Sequence, residues 1–245
     1  MEDKALLSTE EASGAEKAEL LIVIPAYNEA ENIERVVNHL TDNFTQDDYV
    51  VVNDGSRDET AAICQRNGYN LLNLPVNLGL AGAFQAGLKY ADKYGYQYAV
   101  QLDGDGQHRP EYLESMIKKM EEGYDIVIGS RFVGEKKPFT MRMLGSNLIE
   151  MAIRFTTGVN IKDPTSGMRM FSKRMIREFA SGLNYGPEPD TVSYLIRQGA
   201  RVAEVPVIMD ERILGVSYLT PVNAMRYMLK MLISILLIQN FRKRR

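Results

Sequence analysis

Short apolar runs alternate with helical repeats of apolar residues through the first half of the chain. Each run ends in a polar cluster, as in 19-ELLIVIPAYN-28, and predicts a buried strand. Between the runs, apolar residues recur at i, i+3, i+4 and i+7, as at Ile33, Val36, Val37 and Leu40, and predict amphipathic helices. The predicted strands are 19–28, 48–56, 70–75, 96–106 and 124–132, and the predicted helices are 33–40, 60–68, 80–91 and 113–120.

The second half of the chain is less regular. Its predicted elements are helices near 142–156 and 188–199, strands at 169–173 and 201–212, and a final helix within 223–245. Strands that alternate with helices predict an α/β fold with a mostly parallel central sheet and helices on both faces. Residues 1–19 are acidic, small and polar, without the apolar core of a signal peptide, and are interpreted as a flexible tail. We therefore predict one domain over 20–222, followed by a C-terminal appendage at 223–245.

Composition narrows the classes of function. The chain has 245 residues, 45% of them hydrophobic, and a net charge of -3, which gives no reason to expect nucleic-acid binding. The single cysteine, Cys64, excludes an internal disulfide and is expected to be a buried small residue. Two histidines and one cysteine do not supply a tetrahedral zinc site, so any metal is expected to be a hard cation held by oxygen atoms.

The stretch 100-VQLDGDGQH-108 carries the clearest candidate chemistry, because Asp103 and Asp105 follow a strand with a glycine after each. In an extended segment, side chains at i and i+2 point to the same side, so both carboxylates can face one cation. The glycines let a diphosphate approach the backbone, and Mg²⁺ or Mn²⁺ bound in this way takes substrate phosphates as further ligands. A solvated Asp-Gly turn is the alternative. An EF-hand is excluded, because His108 stands where that loop requires glycine.

Polar clusters follow several of the predicted strands: PAYNE (25–29), NDGS (53–56), DGDGQ (103–107) and GSR (129–131). In an open parallel sheet, ligands bind beyond the carboxyl ends of the strands, so these clusters predict one nucleotide-sized site. Taken singly, PAYNE is also explained as a helix cap and NDGS as a plain turn. The sequence contains neither GxGxxG nor GxxxxGKS/T, which argues against dinucleotide-binding and P-loop proteins.

The order of the motifs resembles family 2 glycosyltransferases, and the likeness covers roughly residues 20–220. The motifs are, in order, PAYNE, NDGS, NLGLAGAFQAGL (77–88), LDGDGQH, GSRF, DPTSGMRMF (163–171), RVAEVPV (201–207) and ERILGVSY (211–218). The resemblance implies the GT-A fold, a Rossmann-like architecture with a nucleotide-sugar half, an acceptor half and an Asp-x-Asp metal site. The most similar branch is that of the dolichyl- and polyprenyl-phosphate hexosyltransferases.

The resemblance also implies roles for individual residues on the donor side. Asp103 and Asp105 would bind the metal, with Gln107 in the same diphosphate-binding segment. Both x positions of this segment are glycine here, where relatives often carry Ala and Leu, a departure that removes no ligand. Arg212 matches an arginine that reaches the donor diphosphate when a loop closes. The residues implied to line the nucleotide are Pro25, Tyr27, Glu29, Asp54 and Gly79.

On the acceptor side, Arg131 ends a strand, while Arg142 and Ser146 lie four residues apart on one face of a predicted helix. Arginine donates in a planar fork suited to phosphate oxygens, and polyprenyl-phosphate transferases resemble this arrangement; an exposed arginine on a helix is the alternative. Asp190, in GPEPD, is a candidate catalytic base or helix-capping residue. A sugar hydroxyl needs a base to take its proton, whereas a lipid phosphate is already anionic. Because GPEPD lacks the family's usual Glu-Asp pair, it favours a phosphate acceptor.

The C-terminal segment is apolar around most of a helix over 227–241 and ends in RKRR. Its longest apolar run is far shorter than the ~20 residues needed to span a bilayer. A wide apolar face beside a basic end suits an amphipathic helix lying on an anionic membrane surface. The alternative is an interface with a second copy of the chain or with a small membrane protein.

The leading hypothesis is a metal-dependent, inverting glycosyltransferase that uses Mg²⁺ or Mn²⁺. It would move a hexose from a UDP- or GDP-linked donor to a polyprenyl phosphate for cell-envelope glycan synthesis, and would be cytoplasmic, peripheral on the inner face of the cell membrane. One alternative is a transferase that extends a cell-wall or capsular polysaccharide and needs Asp190 as its base. A nucleotide-sugar sensor or adaptor is the non-enzymatic alternative, against which the Asp103/Asp105 pair and Arg212 argue.

Overall fold

The computed structural model describes residues 18–135, 137–181, 186, 188–210 and 221–240, except for the side chains of 141–142, 221–223 and 240. Strands and helices alternate along this part of the chain. The strands are β1 (Leu20–Ala26), β2 (Asp48–Asn53), β3 (Leu71–Asn73), β4 (Tyr98–Gln101), β5 (Ile126–Ser130), β6 (Arg169–Ser172) and β7 (Val202–Pro206). The α-helices are α1 (Ile33–Asn43), α2 (Thr60–Arg66), α3 (Gly79–Tyr94), α4 (Leu113–Glu121), α5 (Met141–Thr157), α6 (Lys173–Ala180), α7 (Pro189–Arg197) and α8 (Pro221–Leu236).

The strands form one sheet in the order β3-β2-β1-β4-β6-β5-β7. β1 pairs in parallel with β2 and β4, β2 pairs in parallel with β3, and β5 pairs in parallel with β7. β6 lies between β4 and β5 and is antiparallel to both. The predicted mostly parallel sheet is confirmed. Because β6 runs in the opposite direction, the DPTSG turn that precedes it lies at the same edge as the carboxyl ends of β4 and β5.

Helices cover both faces of the sheet, which explains the nearly continuous apolar runs of its strands. In β1, Leu21 and Val23 face a core built with α3, α5, α6, α7 and α8, whereas Ile22 and Ile24 face a core built with α1, α2 and α4. Cys64 is fully buried in the second core, as its sequence context predicts. The sheet therefore lies between two apolar cores, with its carboxyl edge beneath the loops.

Two elements differ from the sequence-based expectation. The apolar pattern does not predict α6, whose buried Met175, Ile176 and Phe179 form a short stripe among charged residues directly after β6. The strand predicted at 201–212 is shorter than expected, because its partner β5 ends where Ser130 pairs with Pro206. The motif ERILGVSY, and with it Arg212, lies outside the described residues, as does the tail up to residue 17.

Helix α8 packs into the body of the protein. Met231 and Ile235 are buried in the core shared with α5 and α7. Other positions of the helix expose apolar side chains, Leu229 and Ile233 among them. In the described part of the chain, no helix is both long enough and apolar enough to cross a membrane.

Candidate active site

The loops after β1 and β2 are tied to each other at the carboxyl edge of the sheet. The backbone N–H of Asn28 donates to Ser56 Oγ at 3.0 Å, and the N–H of Arg57 donates to Asn28 Oδ1 at 2.9 Å. Asn28 has a φ of 56°, in the left-handed region that asparagine tolerates better than most residues. The PAYNE and NDGS clusters therefore form one rim, as expected from their positions after neighbouring strands.

Asp54 connects this rim to the start of α3. Its side chain is buried, and Oδ1 accepts a hydrogen bond from the backbone N–H of Leu78 at 2.7 Å. A Cβ at Gly55 would lie only 2.7 Å from the carbonyl carbon of Val76, so this close approach requires glycine. The structure thus brings together Asp54 and Gly79, the first residue of α3, both of which were predicted to line the nucleotide.

The other predicted nucleotide residues lie at the end of β1. Pro25 is buried in the strand, and Tyr27 is half-buried after it. The carboxylate of Glu29 accepts a hydrogen bond from Asn32 Nδ2 at 2.8 Å, and the backbone N–H of Glu29 donates to Thr60 Oγ1 at 2.9 Å. Glu29 is itself buried, so these bonds fix the loop against α1 and α2. Its predicted contact with the nucleotide stays a prediction.

Asp103 is held in place by two neighbouring side chains. Gln101 Nε2 donates to Asp103 Oδ1 at 2.9 Å, and the backbone N–H of Asp103 donates to His108 Nδ1 at 3.1 Å. Because Nδ1 accepts this bond, a neutral His108 carries its proton on Nε2, which lies 3.5 Å from Asp103 Oδ2. His108 is buried while Asp103 is 29% exposed, so a fixed inner partner supports a carboxylate that faces outward.

Asp105 lies in a turn that is joined to the segment after β7. Its Oδ1 accepts from the backbone N–H of Gln107 at 3.0 Å, and Gln107 Nε2 donates to the carbonyl of Asp210 at 3.1 Å. Arg109 forms a bidentate ion pair with the carboxylate of Asp210, and these hydrogen bonds lower the pKa of that carboxyl group. The loop with the paired carboxylates is therefore anchored to the chain that leads to Arg212.

The two carboxylates fit the divalent cation that the sequence predicts. Both are partly exposed at the sheet edge, and their oxygens are the donor type that Mg²⁺ and Mn²⁺ prefer. Such a pair leaves coordination positions for phosphate oxygens. Among the residues that the structure describes, no group of three or more His, Cys, Asp or Glu side chains is placed to hold a metal ion.

The DPTSG turn contacts both halves of the site. A Cβ at Gly167 would lie 3.3 Å from Asp103 Oδ2 and 3.1 Å from His108 Cε1, so the turn approaches this pair closely because position 167 has no side chain. At the other end of the turn, Asp163 is fully buried and accepts hydrogen bonds from Arg131. One short turn therefore connects the loop of Asp103 and Asp105 with the predicted acceptor residues.

The predicted acceptor residues lie after β5 and on α5. Arg131 Nε and Nη2 donate to the two carboxylate oxygens of Asp163, at 2.7 and 2.9 Å, and the backbone N–H of Arg131 adds a third bond at 3.1 Å. Ser146 is fully buried, and its Oγ lies 3.5 Å from Lys137 Nζ. Arg142 lies one turn before Ser146 on α5, and its side chain is outside the described ones.

Comparison with known proteins identifies the family. The family model of glycosyl transferase family 2 matches residues 21–179, a range that includes the paired carboxylates, GSR and the DPTSG turn. The chain belongs to glycosyl transferase family 2. The protein is thus a glycosyltransferase, and the family inferred from the order of the motifs is confirmed.

Relatives of this glycosyltransferase match it over most of their length. It is 31% identical over 223 residues to a polyprenol monophosphomannose synthase from Mycolicibacterium smegmatis, covering 86% of this chain and 84% of the relative. It is 31% identical over 210 residues to an undecaprenyl-phosphate mannosyltransferase from Micrococcus luteus, covering 81% of this chain and 86% of the relative. The fold is similar to that of glucosyl-3-phosphoglycerate synthase from Mycobacterium tuberculosis in complex with Mn²⁺, UDP and glucosyl-3-phosphoglycerate. That likeness has a TM-score of 0.64 at 20% identity and covers 91% of this chain and 80% of the other, which confirms the expected GT-A fold.

In this glycosyltransferase, the candidate base Asp190 lies at the start of α7 and faces α8. Its Oδ2 accepts hydrogen bonds from Ser234 Oγ at 2.6 Å and from Gln239 Nε2 at 3.2 Å, while Oδ1 accepts from the backbone N–H of Thr191 at 2.8 Å. Burial raises the pKa of the nearby Glu188. The Asp190 carboxylate thus holds α8 against α7, and a role as catalytic base stays a prediction.

Sequence patterns did not single out three side chains of this site: His108, Asp163 and Lys137. A histidine in the same loop as a pair of carboxylates is a local signal, and it could have identified His108 as a partner of Asp103. Asp163 and Lys137 have no comparable signal, because their ion-pair partners lie 32 and 13 residues away in the chain.

Proposed function

We propose that this glycosyltransferase moves a hexose from a UDP- or GDP-linked donor to the phosphate of a polyprenyl phosphate, with inversion at the anomeric carbon. The observation that carries the proposal is the cluster of Arg131, Lys137 and Ser146 after β5, at the sheet edge that also carries Asp103 and Asp105. Arg131, held by Asp163, orders this loop, while Lys137, paired with the partly exposed Glu150, and the Ser146 hydroxyl lie beside the proposed metal site, an arrangement that suits two phosphate-bearing substrates. Two relatives at 31% identity support the same acceptor, because one is named a polyprenol monophosphomannose synthase and the other an undecaprenyl-phosphate mannosyltransferase.

On the donor side, Asp103 and Asp105 would hold Mg²⁺ or Mn²⁺. When bound, such a cation supplies positive charge that stabilises the departing nucleoside diphosphate. Gln101 and His108 fix the Asp103 carboxylate, so its oxygens are oriented before the donor arrives. The rim formed by PAYNE and NDGS would bind the nucleotide.

On the acceptor side, the proposed nucleophile is an oxygen of the lipid phosphate. This oxygen is already anionic and needs no base, whereas a sugar hydroxyl must lose a proton. The Asp190 carboxylate accepts hydrogen bonds from Ser234 on α8 and from Gln239 just after it, which favours the phosphate over a saccharide acceptor. Attack forms the bond to the anomeric carbon while the bond to the nucleoside diphosphate breaks, and a single direct displacement inverts that carbon.

Exposed apolar side chains on α5 and α8 support binding to a membrane surface. The two helices pack against each other. Their exposed large apolar side chains are Leu144, Leu148, Met151 and Phe155 on α5 and Met225, Leu229, Ile233 and Leu236 on α8. Burying each is worth roughly 1.5–3 kcal/mol, and the exposed Arg154, Arg226 and Lys230 suit an anionic lipid surface. We propose the cytoplasmic leaflet as the partner of this surface, because its negative potential attracts basic residues.

The activity is tested by incubating the protein with undecaprenyl phosphate, Mn²⁺ and a panel of labelled UDP- and GDP-linked hexoses. We expect a lipid-linked sugar from at least one donor. Asp103→Asn or Asp105→Asn should remove most of the turnover, whereas Asp92→Asn, at an exposed position of α3, should not. Transfer to a saccharide but not to lipid phosphate would favour polysaccharide extension. Nucleotide binding without transfer to either acceptor would favour the sensor.

The membrane proposal needs substitutions rather than a deletion, because removing α8 would expose the core around Met231 and Ile235. The double variant Leu229→Gln/Ile233→Gln should sediment less with anionic liposomes, whereas Tyr94→Gln, an exposed aromatic control on α3, should behave like the wild type. If liposome binding is unchanged and an oligomer dissociates instead, the surface is a subunit interface.

A further inference from the structure

A small cluster of charged groups surrounds Ser146 beneath the loop after β5. Lys137 Nζ lies 2.7 Å from Glu150 Oε2 and 3.5 Å from Ser146 Oγ. Only 11% of the Lys137 side chain and 22% of the Glu150 side chain are exposed. Ser146 and Glu150 are four residues apart on α5, so the ammonium group lies over one face of that helix.

Phe132 connects this lysine with Arg131. The guanidinium carbon of Arg131 lies 5.3 Å from the centre of the Phe132 ring, and Lys137 Nζ lies 5.6 Å from it. Both cations are thus close to one ring, and Lys137 is also close to Ser146, but they differ in their anionic partners. Arg131 is bound through two nitrogens to the fully buried Asp163, whereas Lys137 makes a single contact with the more exposed Glu150.

The difference decides which cation an incoming phosphate can recruit. Removing Arg131 from Asp163 would break two charge-assisted hydrogen bonds to a fully buried carboxylate, which is strongly unfavourable even though Arg169 interacts with the same carboxylate electrostatically. Glu150 is partly exposed and can be hydrated when Lys137 turns away from it. The ammonium group has three donors and no fixed plane, so a small movement lets it serve a new anion beside Ser146.

We propose that Lys137 is a ligand of the acceptor phosphate and that Glu150 occupies its ammonium group until the acceptor binds. The inference rests on the proposed function, because it assigns the phosphate to the acceptor of that reaction. Ser146 donates to the same phosphate, and Arg131 remains on Asp163, where it orders the loop. Lys137 thereby selects acceptors that carry a phosphate monoester.

The test is equilibrium binding of geranyl phosphate, inorganic phosphate and 3-phosphoglycerate to wild type and variants, with Mn²⁺ and UDP or GDP titrated in parallel. Lys137→Met should weaken geranyl phosphate binding roughly ten- to hundredfold, the usual effect of losing a hydrogen bond to a charged group. Nucleotide affinity should stay unchanged. Glu150→Gln should tighten phosphate binding about fivefold, because it removes the competing anion. Lys118→Met removes a lysine that forms an exposed 2.7 Å pair with Glu114, and it serves as the matched control.

A double variant, Lys137→Met/Glu150→Gln, tests whether Lys137 binds the phosphate or serves only as the ion-pair partner of Glu150. It removes both charges of the pair and so leaves neither unpaired. If Lys137 binds phosphate, the double variant stays at least tenfold weaker than Glu150→Gln. Recovery of wild-type affinity in the double variant, unchanged affinity in Glu150→Gln, or lost nucleotide affinity in Lys137→Met each overturns the proposal. A loss restricted to geranyl phosphate assigns Lys137 to the lipid acceptor, and an equal loss with the soluble phosphates assigns it to the phosphate alone; both support it. If the wild type neither binds nor uses a polyprenyl phosphate, the proposed function fails as well.

Discussion

Replacing Arg131 by alanine is expected to destabilise the fold as well as to disturb the acceptor site. Three hydrogen bonds join Arg131 to Asp163, two from the guanidinium and one from the backbone N–H. Alanine keeps only the backbone bond. The Asp163 carboxylate, which is completely buried, would then lose its ion-pair partner. It would keep the hydrogen bond from the Thr165 hydroxyl at 3.4 Å and an electrostatic interaction with the buried Arg169, neither of which replaces the two guanidinium bonds.

The expected loss of stability in Arg131→Ala follows from the burial of the two partners. Removing one partner of a buried ion pair costs about 3–5 kcal/mol. A quarter of the Arg131 side chain is exposed, and solvent screening reduces the expected loss to about 2–3 kcal/mol. For a chain of this length, each 1 kcal/mol lowers Tm by about 2–4 °C, so Arg131→Ala should lower Tm by roughly 4–12 °C.

The assay is urea and thermal unfolding of wild type, Arg131→Ala, Asp163→Asn and the double variant. Because the two residues act through one contact, the double variant should be less destabilised than the sum of the single variants, by about 1 kcal/mol or more. Acceptor binding should be measured well below the lowered Tm. Additive effects together with an unchanged Tm for Arg131→Ala would refute the reasoning, since the guanidinium would then be available to a substrate phosphate.

Three further predictions concern other residues. Gly167→Ala places a Cβ against Asp103 and should raise the Mn²⁺ concentration needed for half-maximal turnover roughly tenfold, with an unchanged Tm. A Mn²⁺ titration like that of the wild type would contradict this prediction. Burial raises the pKa of Glu188, so its protonated form stabilises the fold below its ordinary pKa of 4.5, and this contribution disappears as the pH rises through the raised pKa. Urea unfolding over a pH series should show that loss in the wild type but not in Glu188→Gln. Burial raises the pKa of the Cys64 thiol to about 11, so a thiol reagent at pH 8 should label it only after unfolding; rapid labelling of the native protein would show that the thiol is accessible.

Much of the fold could be predicted because its information is local. Strands buried on both faces are nearly continuous apolar runs, and the helices between them show one apolar side. The direction of β6 could not be predicted in this way, since an apolar run indicates a buried strand but neither its neighbours in the sheet nor its direction relative to them. α6 was missed for a related reason: its buried residues, such as Ile176 and Phe179, are too few to form a repeat.

The candidate site was predictable where its parts follow strands and not where they meet across the chain. Asp103 and Asp105 lie two residues apart directly after a strand, so their spacing predicts that both can face one cation, with a solvated turn as the alternative. The partners of Arg131 and Lys137 are set by tertiary packing, and a sequence pattern that places an arginine at a strand end says nothing about the buried carboxylate that already binds it. The electrostatic partners of the predicted residues therefore needed the structure.

The antiparallel direction of β6 explains how the two proposed substrate sites come to share one loop. If β6 ran parallel to β4 and β5, the turn before it would lie at the opposite edge of the sheet. Because it runs antiparallel, the DPTSG turn lies at the carboxyl edge, where Gly167 approaches Asp103 and Asp163 binds Arg131. Ser166 Oγ, which donates to the carbonyl of Gly129 at 2.6 Å, fixes the middle of the turn to β5. A displacement of this turn would move Asp103 and Arg131 together, so the geometry between the proposed donor and acceptor sites is set by the direction of one short strand.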